Sequence, residues 1–213
     1  MIIDALKMFY KKYGKRFFDI SVILITAPII FPLILLISLI VMFFNGTPIF
    51  YKAERVGMNY KLFTMYKFRT MHLNLEKKLG DTTGYNDPRI NFIGSYLRRF
   101  KLDELPQLFN VLMGNMSLVG PRPEMEYYYK EFYNENDLKV LSVKPGITDF
   151  FSIEYSSLDN IVGSENPESF FQKNLLRKKI NLRVKYVNEI SFYTDLKMLF
   201  NTMLVLLKKF FKK

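Results

Sequence analysis

Between Ile20 and Tyr51 the chain carries no charged residue. Within that run Ile20–Phe44 is almost wholly Ile, Leu, Val and Phe, with Ser21, Thr26 and Ser38 as its only hydroxyls. About 20 apolar residues suffice to cross the hydrocarbon core of a bilayer, so a membrane-embedded helix is expected. A buried core helix is the alternative, but such helices seldom run this long without a charge. The run is also too long for the apolar stretch of a signal peptide, and no small-residue cleavage site follows it.

Two features bear on how this segment lies. Pro28 and Pro32 fall inside it, and each removes a backbone donor and crowds the preceding turn, so a bend is expected there. Both flanks are basic: Lys7, Lys11, Lys12, Lys15 and Arg16 precede the segment, and Lys52, Arg55, Lys61, Lys67 and Arg69 follow it. Orientation by positive charge needs an asymmetry that these flanks lack. A re-entrant helix, bent at the prolines and returning to the face it entered by, fits both features. A kinked spanning helix stays open.

The whole chain of 213 residues has 31 Lys and Arg against 20 Asp and Glu, a net charge of +11. That excess calls for an anionic partner: nucleic acid, anionic lipid or a phosphorylated substrate. No nucleic-acid motif is present, and the apolar run argues against that partner. There is no cysteine and only one histidine, His72, so disulfides, thiolate catalysis and Cys/His metal centres are excluded. Any metal would be a hard cation on carboxylates. Nothing in the sequence points to an oligomeric state.

After the Asn45-Gly-Thr-Pro48 turn, Pro48–Gly57 reads as a strand and turn. Residues 61–71 alternate with period two, which places Lys67 and Arg69 on one face, where two cations could grip a phosphate. Solvation of that face is the competing reading. Residues 72–87 are polar and loop-like. A helical period returns through Ile93, Leu97 and Phe100, with Arg98, Arg99 and Lys101 at its end. Glu126–Asn136 reads as helix, Asp149–Tyr155 as a short strand, 160–167 as a loop and Glu168–Tyr186 as one helix. The amphipathic C-terminus, with Lys208 and Lys209 beside Phe210 and Phe211, reads as an interfacial anchor.

Lys101-Leu-Asp-Glu-Leu-Pro-Gln-Leu-Phe-Asn-Val-Leu112 holds the chemistry-bearing pair. Pro106 is tolerated only in a first turn, so a helix starts near Asp103 or Glu104, and Gly114 stops it. Asp103 and Glu104 could simply cap that helix and suit its dipole. The same position favours phosphate and ionised carboxylates, so one acid could act as nucleophile and the other as a Mg²⁺ ligand. Arg122, between Pro121 and Pro123, has a fixed backbone suited to offering its fork to phosphate.

Taken together, Lys15-Arg16 with Asp19, Tyr66-Lys-Phe-Arg-Thr-Met71, Leu102–Leu112, Met116-Ser-Leu-Val-Gly-Pro-Arg-Pro123, Lys144-Pro-Gly-Ile-Thr148 and Asp195-Leu-Lys197 occur in the order seen in the bacterial sugar transferases. The sequence closely resembles that family, the monotopic polyprenol-phosphate phosphoglycosyl transferases, over nearly its whole length. The resemblance implies a helix-rich mixed α/β protein. Residues 1–46 would form the basic N-terminus and embedded helix, broken near Pro28 and Pro32. Residues 47–213 would form a small catalytic domain with amphipathic interfacial helices, on the cytoplasmic face of a bacterial inner membrane. It implies transfer of a phosphosugar from a UDP-sugar to undecaprenyl phosphate, releasing UMP and starting surface-glycan assembly. By the same resemblance Asp103 is the nucleophile, Glu104 the Mg²⁺ ligand, and Lys67, Arg69, Arg98 and Arg122 bind phosphate. A non-catalytic, membrane-anchored scaffold of the same fold is the alternative.

The sequence departs from the family at two places. The Ser-Pro pair at which relatives bend the membrane helix is Ala27-Pro28 here, so the break rests on Pro28 and Pro32. Many relatives continue Pro-Gly-Ile-Thr with Gly-Trp-Ala-Gln and then Arg-Asn. This chain has Asp149-Phe-Phe-Ser-Ile-Glu-Tyr-Ser-Ser157, with Ser156 at the arginine position and no tryptophan anywhere. Asp149, Phe150, Glu154 and Ser156 therefore mark where nucleotide or sugar contacts are expected to differ. The chain also resembles the minimal form, without the multi-helix N-terminal region of larger members.

Overall fold

The computed structural model describes residues 7–73, 82–163 and 165–211. Much of the polar stretch 72–87, the first six residues and the last two lie outside the described residues. The long helix α1 spans Lys15–Asn45 and is entered through a π-helical turn, Tyr10–Gly14. It continues through Pro28 and Pro32 without interruption, so the expected break does not appear as a gap in the helix.

A hairpin follows, β1 (Phe50–Val56) and β2 (Leu62–Phe68), paired antiparallel with Lys67 opposite Tyr51. Helix α2 (Phe92–Arg99) is capped by Asn91, whose side chain accepts from Gly94 N at 2.7 Å. The Leu102–Glu104 segment is a 3₁₀ turn entered through a left-handed Lys101, and α3 (Gln107–Leu112) follows it directly. Asp103 thus lies ahead of the α-helix and makes no cap hydrogen bond. Gly114, at φ +85°, supplies the left-handed stop expected of it. Asn110 stitches α3 to the hairpin: its Nδ2 donates to Thr64 O at 2.7 Å and its Oδ1 accepts from Tyr66 N at 3.0 Å.

Two short parallel strands, β3 (Ser117–Val119) and β4 (Gly146–Thr148), form a second sheet. A Cβ on Gly146 would lie 2.0 Å from Gly120 N, so this approach admits only glycine. Helix α4 (Glu126–Phe132) and a 3₁₀ segment (Asp137–Ser142) connect the two strands. Beyond β4 come α5 (Phe150–Glu154), α6 (Leu158–Val162), α7 (Pro167–Asn174), α8 (Leu176–Glu189) and α9 (Phe192–Phe211). The segment expected as a strand at 149–155 is helix α5, because the Asp149 side chain accepts from Ser152 N at 2.7 Å and caps a helix there. Helix α6 occupies part of the expected loop at 160–167. The single helix expected over 168–186 is two, separated at Leu175.

Helix α1 docks on the domain near both of its ends. Phe18 and Ile23 join a core with Val111, Met116, Tyr186 and Met198, while Ile34, Ile37 and Val41 join another with Phe68 and Leu97. Between them, Phe31 stacks on Phe109 at 6.0 Å. The opposite face stays apolar and exposed, with Phe17, Ile25, Ile29 and Phe43 each more than 70% accessible. Polar pins fix the register. Lys15 Nζ meets Asp195 Oδ2 at 2.6 Å, Tyr10 and Tyr186 hydroxyls donate to the same carboxylate, and Asp19 Oδ1 accepts from Ser117 Oγ and Leu118 N. The Arg16 guanidinium closes the last turn of α3, donating to Val111 O and Leu112 O. The family-like residues Lys15, Arg16, Asp19 and Asp195 are thus docking residues.

Removing Asp195 strands the buried Lys15 ammonium and the Tyr10 hydroxyl and leaves the Tyr186 hydroxyl only its bond to Val119 O. Asp195→Ala is expected to lose about 3–5 kcal/mol of stability, and the Lys15→Met/Asp195→Leu double variant to recover part of it, in thermal unfolding in detergent. Equal losses in the two proteins would show that the ion pair is not what holds this junction.

Candidate functional site

A cavity of about 480 Å³ opens between β2, the 3₁₀ turn, the turn after β3, α5, α8 and α9. Lys67, Arg98, Lys101, Asp103, Glu104, Arg122, Ser156, Lys179, Arg183 and Lys209 reach it, with apolar walls from Met65, Leu118, Phe151 and Leu206. With Arg55, eight cations line the cavity against four carboxylates, Asp103, Glu104, Glu124 and Asp159, an excess that suits a polyanionic ligand.

Each side chain is set by its element. The tight 3₁₀ turn turns Asp103 and Glu104 inward, leaving them 4% and 8% exposed. Arg122 holds Glu104 in a two-pronged grip, with Nη1 at 2.9 Å from Oε2 and Nη2 on Oε1. Lys67 Nζ lies 3.4 Å from Oε1. Burial alone would raise the Glu104 carboxyl, but Arg122, then Lys67 and Lys101, reverse this and hold it far below the ordinary range. Asp103 is pushed the other way, first by burial and then by the Glu104 charge. Its Oδ1 is buried and has no hydrogen-bond partner among the described residues. Burial also brings the Lys67 ammonium down to about 8, with Arg122 adding to the fall and Glu104 opposing it.

Arg122 is itself held from behind. Its backbone N–H donates to Asp149 Oδ2 at 3.1 Å, and its Nη1 also donates to Ile147 O at 2.8 Å. Arg183 Nε bonds the same Asp149 oxygen at 3.1 Å and its Nη1 reaches Glu124 Oε1 at 2.6 Å, where Lys179 also pairs. Burial would raise Asp149, but Arg183, the Ser152 donors and the Arg122 N–H hold it below the usual carboxylate range.

The sequence-derived set is only partly brought together. Lys67, Arg98, Asp103, Glu104, Arg122 and Ser156 line the cavity; Arg69, Asp149, Phe150 and Glu154 do not. Arg69 follows the end of β2 and turns to the C-terminus of α1, donating to Asn45 O, Gly46 O and Thr47 O. It is a helix cap, not part of a phosphate grip. Asp149 caps α5 and anchors Arg122. Phe150 packs against Tyr186 at 6.3 Å, and Glu154 pairs with Lys178 at the surface. Arg98 keeps its place at the cavity with Nε on Thr70 Oγ1 at 3.0 Å. Glu124, Lys179 and Arg183 were not identifiable as a unit, since α4, α8 and the turn after β3 meet only in the fold. Lys209, expected at the membrane surface, turns inward.

The donor set bears on a metal. Among the described residues no three His, Cys, Asp or Glu side chains cluster as a closed cage. Three of the four lone-pair sites of Glu104 are taken by Arg122 and Lys67, leaving one on Oε2. A single free carboxylate position of this kind suits a hard divalent cation whose other ligands come from outside the protein.

A family model described as bacterial sugar transferase matches residues 10–209. Galactosyl transferase CpsE of Streptococcus agalactiae is 36% identical over 174 residues, which cover 76% of this chain and 35% of that protein. A putative undecaprenyl-phosphate N-acetylgalactosaminyl 1-phosphate transferase of Bacillus subtilis is 43% identical over 121 residues, 57% of this chain and 68% of that protein. UDP-glucose:undecaprenyl-phosphate glucose-1-phosphate transferase of Escherichia coli is 33% identical over 190 residues, 88% of this chain and 39% of that protein. The chain thus spans little more than a third of the first and the last of these relatives.

The opposed effects on Lys67 give a signed prediction. In ¹³C-dimethylated protein the Lys67 resonance is expected to titrate near 8, and to titrate lower in Glu104→Gln, which removes the anion that supports the charge. A midpoint near the ordinary lysine value in the unsubstituted protein would contradict the burial described here.

Proposed function

As the chain belongs to the bacterial sugar transferase family, we propose that it transfers a phosphosugar from a UDP-sugar to undecaprenyl phosphate. One observation carries this reading: a buried Asp–Glu pair faces a cation-lined cavity, with Glu104 locked by Arg122 and Asp103 Oδ1 left unpartnered. The locked carboxylate cannot readily attack; the unpartnered one can.

The steps balance as a double displacement. An Asp103 oxygen bonds to the sugar-linked phosphorus of the donor as the bond from that phosphorus to the bridging oxygen breaks, releasing UMP. An oxygen of the lipid phosphate then attacks the same phosphorus and expels Asp103 as carboxylate, giving the lipid diphosphosugar. Lys67, Arg98 and Arg122 are placed to meet the charge on the transferring phosphoryl group. Mg²⁺ held by Glu104 would supply charge neutralisation for the diphosphate. Asp103 must be ionised to attack, so the nearby cations Lys67, Lys101 and Arg98, which favour its charged form, are part of its activation.

A lipid acceptor calls for a membrane setting, and the docking of α1 suggests its topology. A 31-residue helix is roughly 46 Å long. Its two ends both rest on the polar domain, so a perpendicular crossing would drag charged surface into hydrocarbon. A helix embedded from one face, with the domain at that face, avoids this; it keeps the single face of the re-entrant expectation without a gap in the helix at Pro28 and Pro32. The exposed apolar side of α9 would lie at the same interface.

Incubation with a panel of UDP-sugars, Mg²⁺ and undecaprenyl phosphate is expected to release UMP, and Asp103→Asn to slow release on the order of 10³-fold or more. Unchanged release in that variant would remove Asp103 from the nucleophile's role. Reporter tags at the two termini are expected on one membrane face, the cytoplasmic one; tags on opposite faces would instead establish a spanning helix.

A further inference from the structure

Helix α9 has two faces with different surroundings. Leu199, Thr202, Val205, Leu206 and Lys209 line the cavity, while Phe200, Met203, Leu204 and Leu207 are exposed. The inner face is tied to the domain at three points. Thr202 Oγ1 hydrogen-bonds Thr148 Oγ1 at 2.9 Å, Lys209 Nζ donates to Ser156 O at 2.5 Å, and the Phe210 ring stacks on Phe100 at 4.2 Å. Phe100 directly precedes Lys101, the left-handed residue from which the Asp103 turn starts. The last turn of α9 therefore bridges the wall that bears the carboxylate pair and the wall formed by residues 150–156.

Lys209 and Lys101 both line the cavity, each next in sequence to one ring of the Phe210–Phe100 stack. Burial first, and then the Lys101 charge, pull the Lys209 ammonium below the ordinary lysine range, and the more weakly acting Asp159 and Glu104 do not restore it. Like charges gathered in a partly desolvated place are costly unless an anion joins them. Neither lysine forms a salt bridge among the described residues, and Lys209 spends one donor on a neutral carbonyl. Lys67 and Arg122, by contrast, are committed to Glu104. Transfer between a diphosphate donor and a phosphate acceptor needs more than one place for a phosphate, and the cations on Glu104 account for one.

We propose that Lys101 and Lys209 form a second phosphate subsite, closed by the last turn of α9. The subsite rests on the transferase reading above. Its ligand is a phosphate group of a substrate, either the nucleoside-linked phosphate of the donor or the phosphate of the lipid acceptor. Lys209 acts by direct contact, and Phe210 positions it.

The two half-reactions separate the sources. UMP release without acceptor, measured against UDP-sugar concentration, reports the donor; discharge of the loaded protein by undecaprenyl phosphate reports the acceptor. Lys209→Ala and Lys101→Ala are each expected to raise the half-saturating concentration of the same one of these substrates about tenfold or more. Lys209→Arg should stay within about threefold of the unsubstituted protein, and Lys208→Ala, which removes an equal charge from the outward side, should change neither. Unchanged values for both substrates in Lys209→Ala and Lys101→Ala would overturn the subsite. A readout free of turnover covers the case in which no UDP-sugar is accepted, which would defeat the transferase reading. Acetylation of Lys209, followed by peptide mass spectrometry, should be slowed by inorganic pyrophosphate or farnesyl phosphate while that of Lys208 is not. Equal acetylation with and without both ligands would overturn the subsite whatever the reaction proves to be.

Discussion

Charges of alternating sign, buried or half-buried and each held by the next, tie the cavity together. Glu104 takes the fork of Arg122, the Arg122 backbone is held by Asp149, Asp149 takes Arg183, and Arg183 and Lys179 share Glu124. A buried charge that loses its partner costs several kcal/mol, so no link is free to move alone. Elements far apart in sequence, from the 3₁₀ turn at 102 to helix α8, are thereby held in one geometry. The alternation also divides the two acids. Glu104 stands at the end of the series and is kept ionised, whereas Asp103, beside it, is outside the series and keeps an unsatisfied oxygen.

The same logic recurs where α1 meets the domain. A helix of Ile, Leu and Phe has no reason to prefer one rotation among apolar neighbours, since dispersion and burial are not directional. Lys15, Arg16 and Asp19 provide direction: their partners are Asp195, the last carbonyls of α3, and the start of β3. The apolar surface holds the helix in place, and the polar residues at its first turns set its register.

Much of this was legible in the sequence, and the exceptions have physical causes. An uncharged run of Ile and Leu can only be a buried or membrane helix, and β2, α2 and α3 show clear two- or 3.6-fold periods. Arg69 misled because the period-two rule holds only within a strand, and β2 ends at Phe68. Asp149–Tyr155 misled because seven residues are too short to separate periods, and the capping contact to Ser152 decided for helix. Arg122 was recognised as a fixed arginine, yet its partner Glu104 depends on a contact that only the fold creates. Lys209 was read by its neighbours Phe210 and Phe211 as an anchor. One of a pair of adjacent lysines on a helix must point about 100° from the other, and here that difference separates the outward face from the cavity.

The Arg16 cap on α3 links events that are far apart in time. Helix α1 leaves the ribosome long before the residues it docks on: Val111 and Leu112 follow Arg16 by 95 and 96 positions, and Asp195 follows Lys15 by 180. Contacts of such sequence separation are slow to form, because loop closure must come before they repay it. In the proposed membrane setting, an inserted α1 would confine the search to a plane and wait, already helical, for the rest of the chain. The carboxylate pair would then be completed only on a chain that has reached that membrane. An enzyme that forms a reactive carboxyl–phosphate bond would thus be silent in transit and competent on arrival.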